Sequence, residues 1–189
     1  MRPDDRHLIA EAFERLSPES RYRRFFAPLD RLTDEDLDYL TKVDHTDHEA
    51  LVAVNPENGS IIGAARYIRS DVPTEAEVAV VVGDPWQRHG VAGTLLEHLV
   101  ERARSAGIRQ FIALVMKDND EAIELFRGLA PEGSKVRRSA SGYLEMLIDL
   151  PEPGSLSDSR LGRMLRAAAH GVPINPWSVL RERIARRAR

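Results

Sequence analysis

Between Val80 and Leu96 the chain reads Val-Val-Val-Gly-Asp-Pro-Trp-Gln-Arg-His-Gly-Val-Ala-Gly-Thr-Leu-Leu, and few folds accommodate that order. A β-branched run predicts a buried strand. It stops at Gly83-Asp84-Pro85, and Gln87-Arg88-His89-Gly90-Val91-Ala92 then opens an amphipathic helix. A strand that turns directly into a helix presents free backbone N–H groups and the positive end of the helix dipole at one corner. Such a corner attracts an anion without a charged side chain. Its glycines let a diphosphate approach the main chain closely. Neither Gly-x-x-x-x-Gly-Lys nor Gly-x-Gly-x-x-Gly is present here, so this is not one of those two phosphate loops. Without a ligand, the same segment is a plain strand-turn-helix corner.

The flanking sequence supplies the rest of a domain. Residues 4–16 read as a helix, and Ser17-Pro18 as an N-cap with proline at the first helical position of a second. Thr33-Asp34-Glu35-Asp36 starts a third helix, with acids in its first turn. Residues 50–54 and 61–68 form a hairpin across Asn55-Pro56-Glu57-Asn58-Gly59, and residues 75–82 form the next strand. A helix from about His89 to Ala106 ends at Gly107. A strand at 111–115, a helix at 118–128 and a hairpin of 136–138 with 143–150 complete the order. The class is α+β, a central, mostly antiparallel twisted sheet flanked by helices, within residues 1–150. Pro151-Glu152-Pro153-Gly154-Ser155 links it to a basic, helical extension over 151–189.

That extension carries eight arginines against three acidic residues, whereas the whole chain has a net charge of -3. Its arginines interleave with apolar residues at helical spacing, which argues for packing against the body or a second copy over nucleic-acid binding. Cysteine is absent, which excludes disulfides, thiolate metal sites and a cysteine nucleophile. No apolar run approaches a membrane span and the charged N-terminus lacks a signal-peptide core, so no membrane partner and a cytoplasmic location are expected. Asp44-His45-Thr46-Asp47-His48 has close-spaced metal-ligand types but no further ligand set, so a solvated loop and no metal are expected.

The Gln87–Ala92 pattern, the valines before it and the helix after it resemble the acyl-CoA pyrophosphate loop of GNAT-family N-acetyltransferases. The element order over residues 4–150 is likewise similar to the GNAT fold. The resemblance implies acetyl-CoA as co-substrate. Val80, Val81 and Val82 would offer backbone contacts to its pantetheine arm. Gln87, Arg88, His89, Gly90, Val91, Ala92, Gly93 and Thr94 would hold the pyrophosphate, and Asn119 would bond pantetheine or a water, or else cap the helix that follows it. In this strand, Glu75 and Glu77 share one face. Glu77 lies nearer the strand's apolar centre and is expected to be the more desolvated. It also matches a catalytic glutamate of several GNAT lysine acetyltransferases, implying a general base. Relatives place a tyrosine near position 126 as an acid; here the residue is Phe126, so the thiolate leaves unassisted or with help from Tyr143 or water.

The segments Leu16–Phe26, Leu32–Leu37, Val43–His45 and Ala50–Val54 narrow the resemblance to Pat-type bacterial protein lysine acetyltransferases, which act on acyl-CoA synthetases and similar targets. By that likeness the acceptor amine is a protein lysine. A small-molecule amine is the alternative, as is a non-catalytic acyl-CoA sensor. The edge strand that usually opens a GNAT domain is missing, and an uncovered sheet edge invites a second copy or the C-terminal extension to pair there.

Overall fold

The computed structural model describes residues 1–129, 134–138 and 142–151. Three helices come first: α1 (Arg6–Glu14), α2 (Pro18–Phe25) and α3 (Asp34–Thr41). Each start has a local cause. Ser17 accepts from Ser20 N ahead of Pro18, and Thr33 exchanges side-chain and backbone bonds with Asp36 in a capping box. The strands β1 (His48–Val54), β2 (Ile61–Arg69) and β3 (Glu75–Val82) form an antiparallel meander. Then α4 (Val91–Ser105), β4 (Gln110–Met116), α5 (Asp120–Leu129), β5 (Ser134–Arg138) and β6 (Tyr143–Asp149) follow. The six-stranded sheet runs β1-β2-β3-β4-β6-β5, with β3 and β4 its parallel pair. The expected elements are all present, with boundaries shifted by one or two residues. The extension over 151–189 lies almost wholly outside the described residues.

The two faces of the sheet have different covers. On one, Ala65, Tyr67, Ala76, Val78, Phe111, Ala113 and Val115 pack with Leu95, Leu96 and Leu99 of α4 and Ile123 and Phe126 of α5 in the main core. On the other, Ile9 of α1 and Leu37 of α3 pack with Ile61 in a smaller cluster. Burial of these side chains is the main stabilising term, about 1.5–3 kcal/mol for each large one. The close approach of α4 to the sheet depends on Gly63. A Cβ there would lie 3.1 Å from Val91 Cγ1, 3.2 Å from Val81 O and 3.3 Å from Leu95 Cδ1. A glycine inside a strand is the sequence signal of such an approach.

No strand precedes β1 in the described residues, so β1 is an edge, as the sequence suggests. The edge is not uncovered, however. Asp47, Glu49 and Leu51 face β2, because Arg69 N bonds Asp47 O and antiparallel pairing alternates. His48 and Ala50 therefore turn their main chains outward. His48 N donates to Asp44 Oδ1, His48 O accepts from His45 N, and Ala50 N donates to the buried Glu49 carboxylate. Ala50 O accepts from Met1 N. The 44–48 segment is thus a plug for the edge. Asp44 Oδ1 also takes the N–H groups of Thr46 and Asp47, while His45 pairs with Glu49 at 2.9 Å, so neither is placed to ligate. No helix among the described residues is long and apolar enough to cross a membrane.

Gly63→Ala should lower the unfolding free energy by about 1–3 kcal/mol, the range for overpacking. Urea denaturation at fixed pH measures it; an unchanged midpoint would show that α4 yields freely.

Candidate active site

The site begins where β3 and β4 part. They pair only at Glu75, Ala76 and Glu77, opposite Gln110, Phe111 and Ile112. Beyond that, β3 stays with β2 and β4 stays with β6. The gap opens into a cleft of about 1600 Å³ that extends between α4 and α5 and, on the other side, under α2 and α3.

Alternation fixes which backbone groups face the gap. Gly83 N bonds Ile62 O and Ser70 N bonds Glu75 O, so Glu77, Ala79 and Val81 direct their N–H and C=O groups to β2. Val78, Val80 and Val82 direct theirs toward the parted β4. Of the three valines singled out from sequence, Val80 and Val82 can offer main-chain bonds to a ligand there, and Val81 cannot. Val82 O already accepts from Gln87 Nε2 at 3.2 Å.

The corner that follows leaves backbone N–H groups without partners among the described residues. Arg88 and Gly90 both take positive φ, 60° and 80°. Gly90 is the N-cap of α4 and supplies no side-chain cap. The first N–H groups of the helix, on Val91, Ala92 and Gly93, thus have neither an intrahelical acceptor nor a capping oxygen. Thr94 N is already bonded to Gly90 O. Arg88 and His89 are exposed, and Arg88 lies 4.0 Å from Glu121 at the start of α5. His89 Nδ1 is 2.6 Å from Gln87 O.

Two side chains hold this corner in shape. Gln87 Nε2 joins Ser20 Oγ of α2 to Val82 O, so its amide is structural. Asp84 accepts from Ser17 N, Ser17 Oγ and Ser20 Oγ at 2.7–3.0 Å, tying the corner to the start of α2. Burial alone would raise the Asp84 pKa, but the bonds from Ser17 and Ser20 outweigh it and hold the carboxyl below its ordinary value. Sequence reading assigned Asp84 only to a turn; its bonded partners lie more than sixty residues away.

Glu77 sits at the fork itself, the last β3 residue opposite β4, on the face covered by α2 and α3. The expected order of burial is reversed. Glu77 is exposed and Glu75 half-buried, because the strands part at Glu77 and open that face to solvent. Asn119 caps α5, its Oδ1 accepting from Ala122 N at 3.1 Å, and it lines the cleft. Phe126 is 4% exposed in the main core. The Tyr143 ring packs edge-on against Phe26, centroids 5.0 Å apart. Among the described residues, no cluster of three metal-ligating side chains occurs.

One element of the cleft was not anticipated. Arg66 of β2 is 6% exposed. Its Nη2 donates to Leu40 O at 2.6 Å and its Nη1 has no partner among the described residues. Burial, and secondarily the neighbouring Arg24, push its pKa down to about 10.

A sheet that splits after a shared parallel pair, with an uncapped helix start at the head of the split, defines the class of acyl-CoA-binding folds. Residues 8–130 match the model of the Acetyltransferase (GNAT) family, and the chain belongs to that family. An acetyltransferase of Pseudomonas aeruginosa is 31% identical over 116 residues, 60% of this chain and 62% of that protein. Acetyltransferase Pat of Mycolicibacterium smegmatis is 38% identical over 104 residues, 54% of this chain and 31% of that protein. The chain thus spans less than two thirds of these relatives. The GNAT domain of S. lividans PAT superposes with a TM-score of 0.71 at 36% identity, covering 79% of this chain and 88% of that one.

Asp84→Ala should cost about 2 kcal/mol of stability at neutral pH, as expected for hydrogen bonds to a charged group. A lowered folded-state pKa stabilises above the unfolded value of about 3.9 and is lost as pH falls through the folded value. Thermal melts from pH 7 to 3 should therefore show the gap between wild type and variant closing below about pH 4. A gap constant across that range would dissociate Asp84 from the effect.

Proposed function

We propose that the chain transfers an acetyl group from acetyl-CoA to a primary amine by direct attack, with Glu77 as general base. The observation that carries this reading is the position of Glu77 at the fork between β3 and β4, on the strand whose far end leads to an uncapped helix start. The donor set suits a CoA ester. Free N–H groups at Val91, Ala92 and Gly93 match a diphosphate, and Val80 and Val82 match the amides of a pantetheine arm in the gap. Arg88, exposed at the mouth, would add a charge to the phosphates. Asn119 Nδ2 remains as a donor, since its oxygen is engaged in capping.

Bound acetyl-CoA supplies a thioester carbonyl that a neutral amine can attack. The chain's part is to deliver that neutral amine. A free lysine amine has a pKa of about 10.4, so it must lose a proton in the cleft. The Glu77 carboxylate, on the solvent-open face of the fork, takes that proton directly or through a water. As the C–N bond forms the C–S bond breaks, and with no proton available from Phe126 the CoA sulfur leaves as thiolate and is protonated by water. The Tyr143 ring is held against Phe26. The favoured acceptor is a protein lysine, on the strength of the Pat-type resemblance and the Pat relatives; acyl-CoA synthetases are the proteins to try first.

Two variants test the reading. Glu77→Gln should lower kcat by about 10²–10⁴-fold, the usual worth of a general base, while calorimetry shows unchanged acetyl-CoA affinity. Turnover that survives in Glu77→Gln removes the base assignment, and a wild type that binds acetyl-CoA but releases no thiol with any amine is a sensor. Gly90→Ala should weaken acetyl-CoA binding about tenfold, because a Cβ at φ 80° costs about 1–2 kcal/mol and pulls the N–H groups out of line.

A further inference from the structure

The acceptor side of the cleft, which Glu77 and Asp36 also line, contains two guanidiniums that, among the described residues, no carboxylate pairs. Arg66 and Arg24 both line it, under α2 and α3. Arg66 Cζ stands 5.7 Å over the ring of Tyr39, and Arg24 Cζ stands 5.0 Å over that of Phe25. Among the described residues, no carboxylate lies within ion-pair distance of either guanidinium. The electrostatic neighbours of Arg66 are Arg24, which repels it, and Tyr39. Its Nη1 is sealed from solvent and has no hydrogen-bond partner among the described residues. A buried guanidinium normally acquires an anion or several carbonyls; Arg66 has one carbonyl, Leu40 O. Like-charged neighbours with a vacant donor edge are complementary to a planar anion that neither strand nor helix provides.

Register places this pair relative to the chemistry. Arg66 lies opposite Ala79, and Ile68 lies opposite Glu77, so Arg66 and Glu77 are diagonal neighbours on one sheet face. Such diagonals separate Cα atoms by about 7–8 Å. An acceptor whose amine meets Glu77 therefore lies on the sheet face that carries Arg66.

Given acetyl transfer to an amine, we propose that Arg66 and Arg24 form a carboxylate subsite that selects acceptors bearing a carboxylate near the reacting amine. The walls favour carboxylate over phosphate. Leu40, Ile68 and the Tyr39 ring are poor solvation for a dianion, whereas a carboxylate is singly charged and flat. The carboxylate can belong to a free amino acid or to an acidic side chain flanking a target lysine, and the two sources are separable.

The full chain with acetyl-CoA is assayed for thiol release on two matched pairs. One is Nα-acetyl-lysine against its primary amide. The other is a lysine peptide flanked by glutamates against the same peptide with glutamines. The subsite predicts at least a tenfold higher kcat/KM for the carboxylate member of one pair. A preference confined to the first pair identifies an amino-acid acceptor, and one confined to the second identifies an acidic peptide. Arg24→Gln should collapse that ratio toward one, and Arg24→Lys should restore part of it. Arg24 is the variant of choice because it is only half-buried, so folding is less at stake than in Arg66 variants. Equal rates within both pairs, or a ratio unmoved by Arg24→Gln, overturn the subsite. If no amine is acetylated although acetyl-CoA binds, the transferase reading has failed on its own. The subsite is then decided by NMR of the arginine Nε–H groups. Signals of Arg24 or Arg66 that move with Nα-acetyl-lysine and not with its amide support it, and signals that move with neither overturn it.

Discussion

The cleft exists because β3 and β4 each have a stronger neighbour than one another. β3 is laddered to β2 from Ala76 to Val82, and β4 to β6 from Gln110 to Met116, but the two share only the stretch that ends at Glu77 and Ile112. Past that point, right-handed twist carries each strand away with its own partner. The parting does three things at once. It frees the main-chain groups of Val80 and Val82, it gives the site depth, and it leaves Glu77 at the vertex with solvent access. Both sides of the split are pinned from outside the sheet. Gly63 lets α4 close on β2 and β3, and Asp84 with Gln87 ties the end of β3 to α2.

The cleft divides by the kind of group that faces it. Toward α4 and α5 the walls present backbone N–H groups and helix starts, which discriminate by shape and partial charge. Toward α2 and α3 they present full charges on side chains, Glu77 on β3 and the Arg24 and Arg66 pair beneath the helices. Phe126, buried among core side chains, contributes packing and no proton donor.

The fold was largely legible because its signals are local. Ser17-Pro18, Thr33–Asp36, Asn55–Gly59 and Gly107 mark boundaries that depend on a few neighbouring residues, and the elements fall where these mark them. The 80–96 corner was legible for the same reason. What escaped was set by register and by distant partners. Nothing around Val81 says that its amide turns to β2 while its neighbours turn to the gap. The burial of Glu77 was misjudged because apolar flanks predict burial only where the next strand stays paired. The Gln87 side chain bonds Ser20, a partner 67 residues away that its local sequence does not reveal. Arg66 was passed over because an arginine in a strand reads as solvated, and only α3 folding over it removes the solvent.

The plug at the start of β1 bears on how such a protein behaves when crowded. A sheet edge recruits another strand by offering alternating donors and acceptors at every second residue. Along β1 the outward donors at His48 and Ala50 are already held by the carboxylates of Asp44 and Glu49, and the His48 carbonyl by His45 N. A visiting strand would find its first usable rung at Val52, two residues before the hairpin turn. This edge of the sheet, opposite the β5 edge, is therefore a poor template for an added strand, and pairing along β1 would first have to unfold the 44–48 loop.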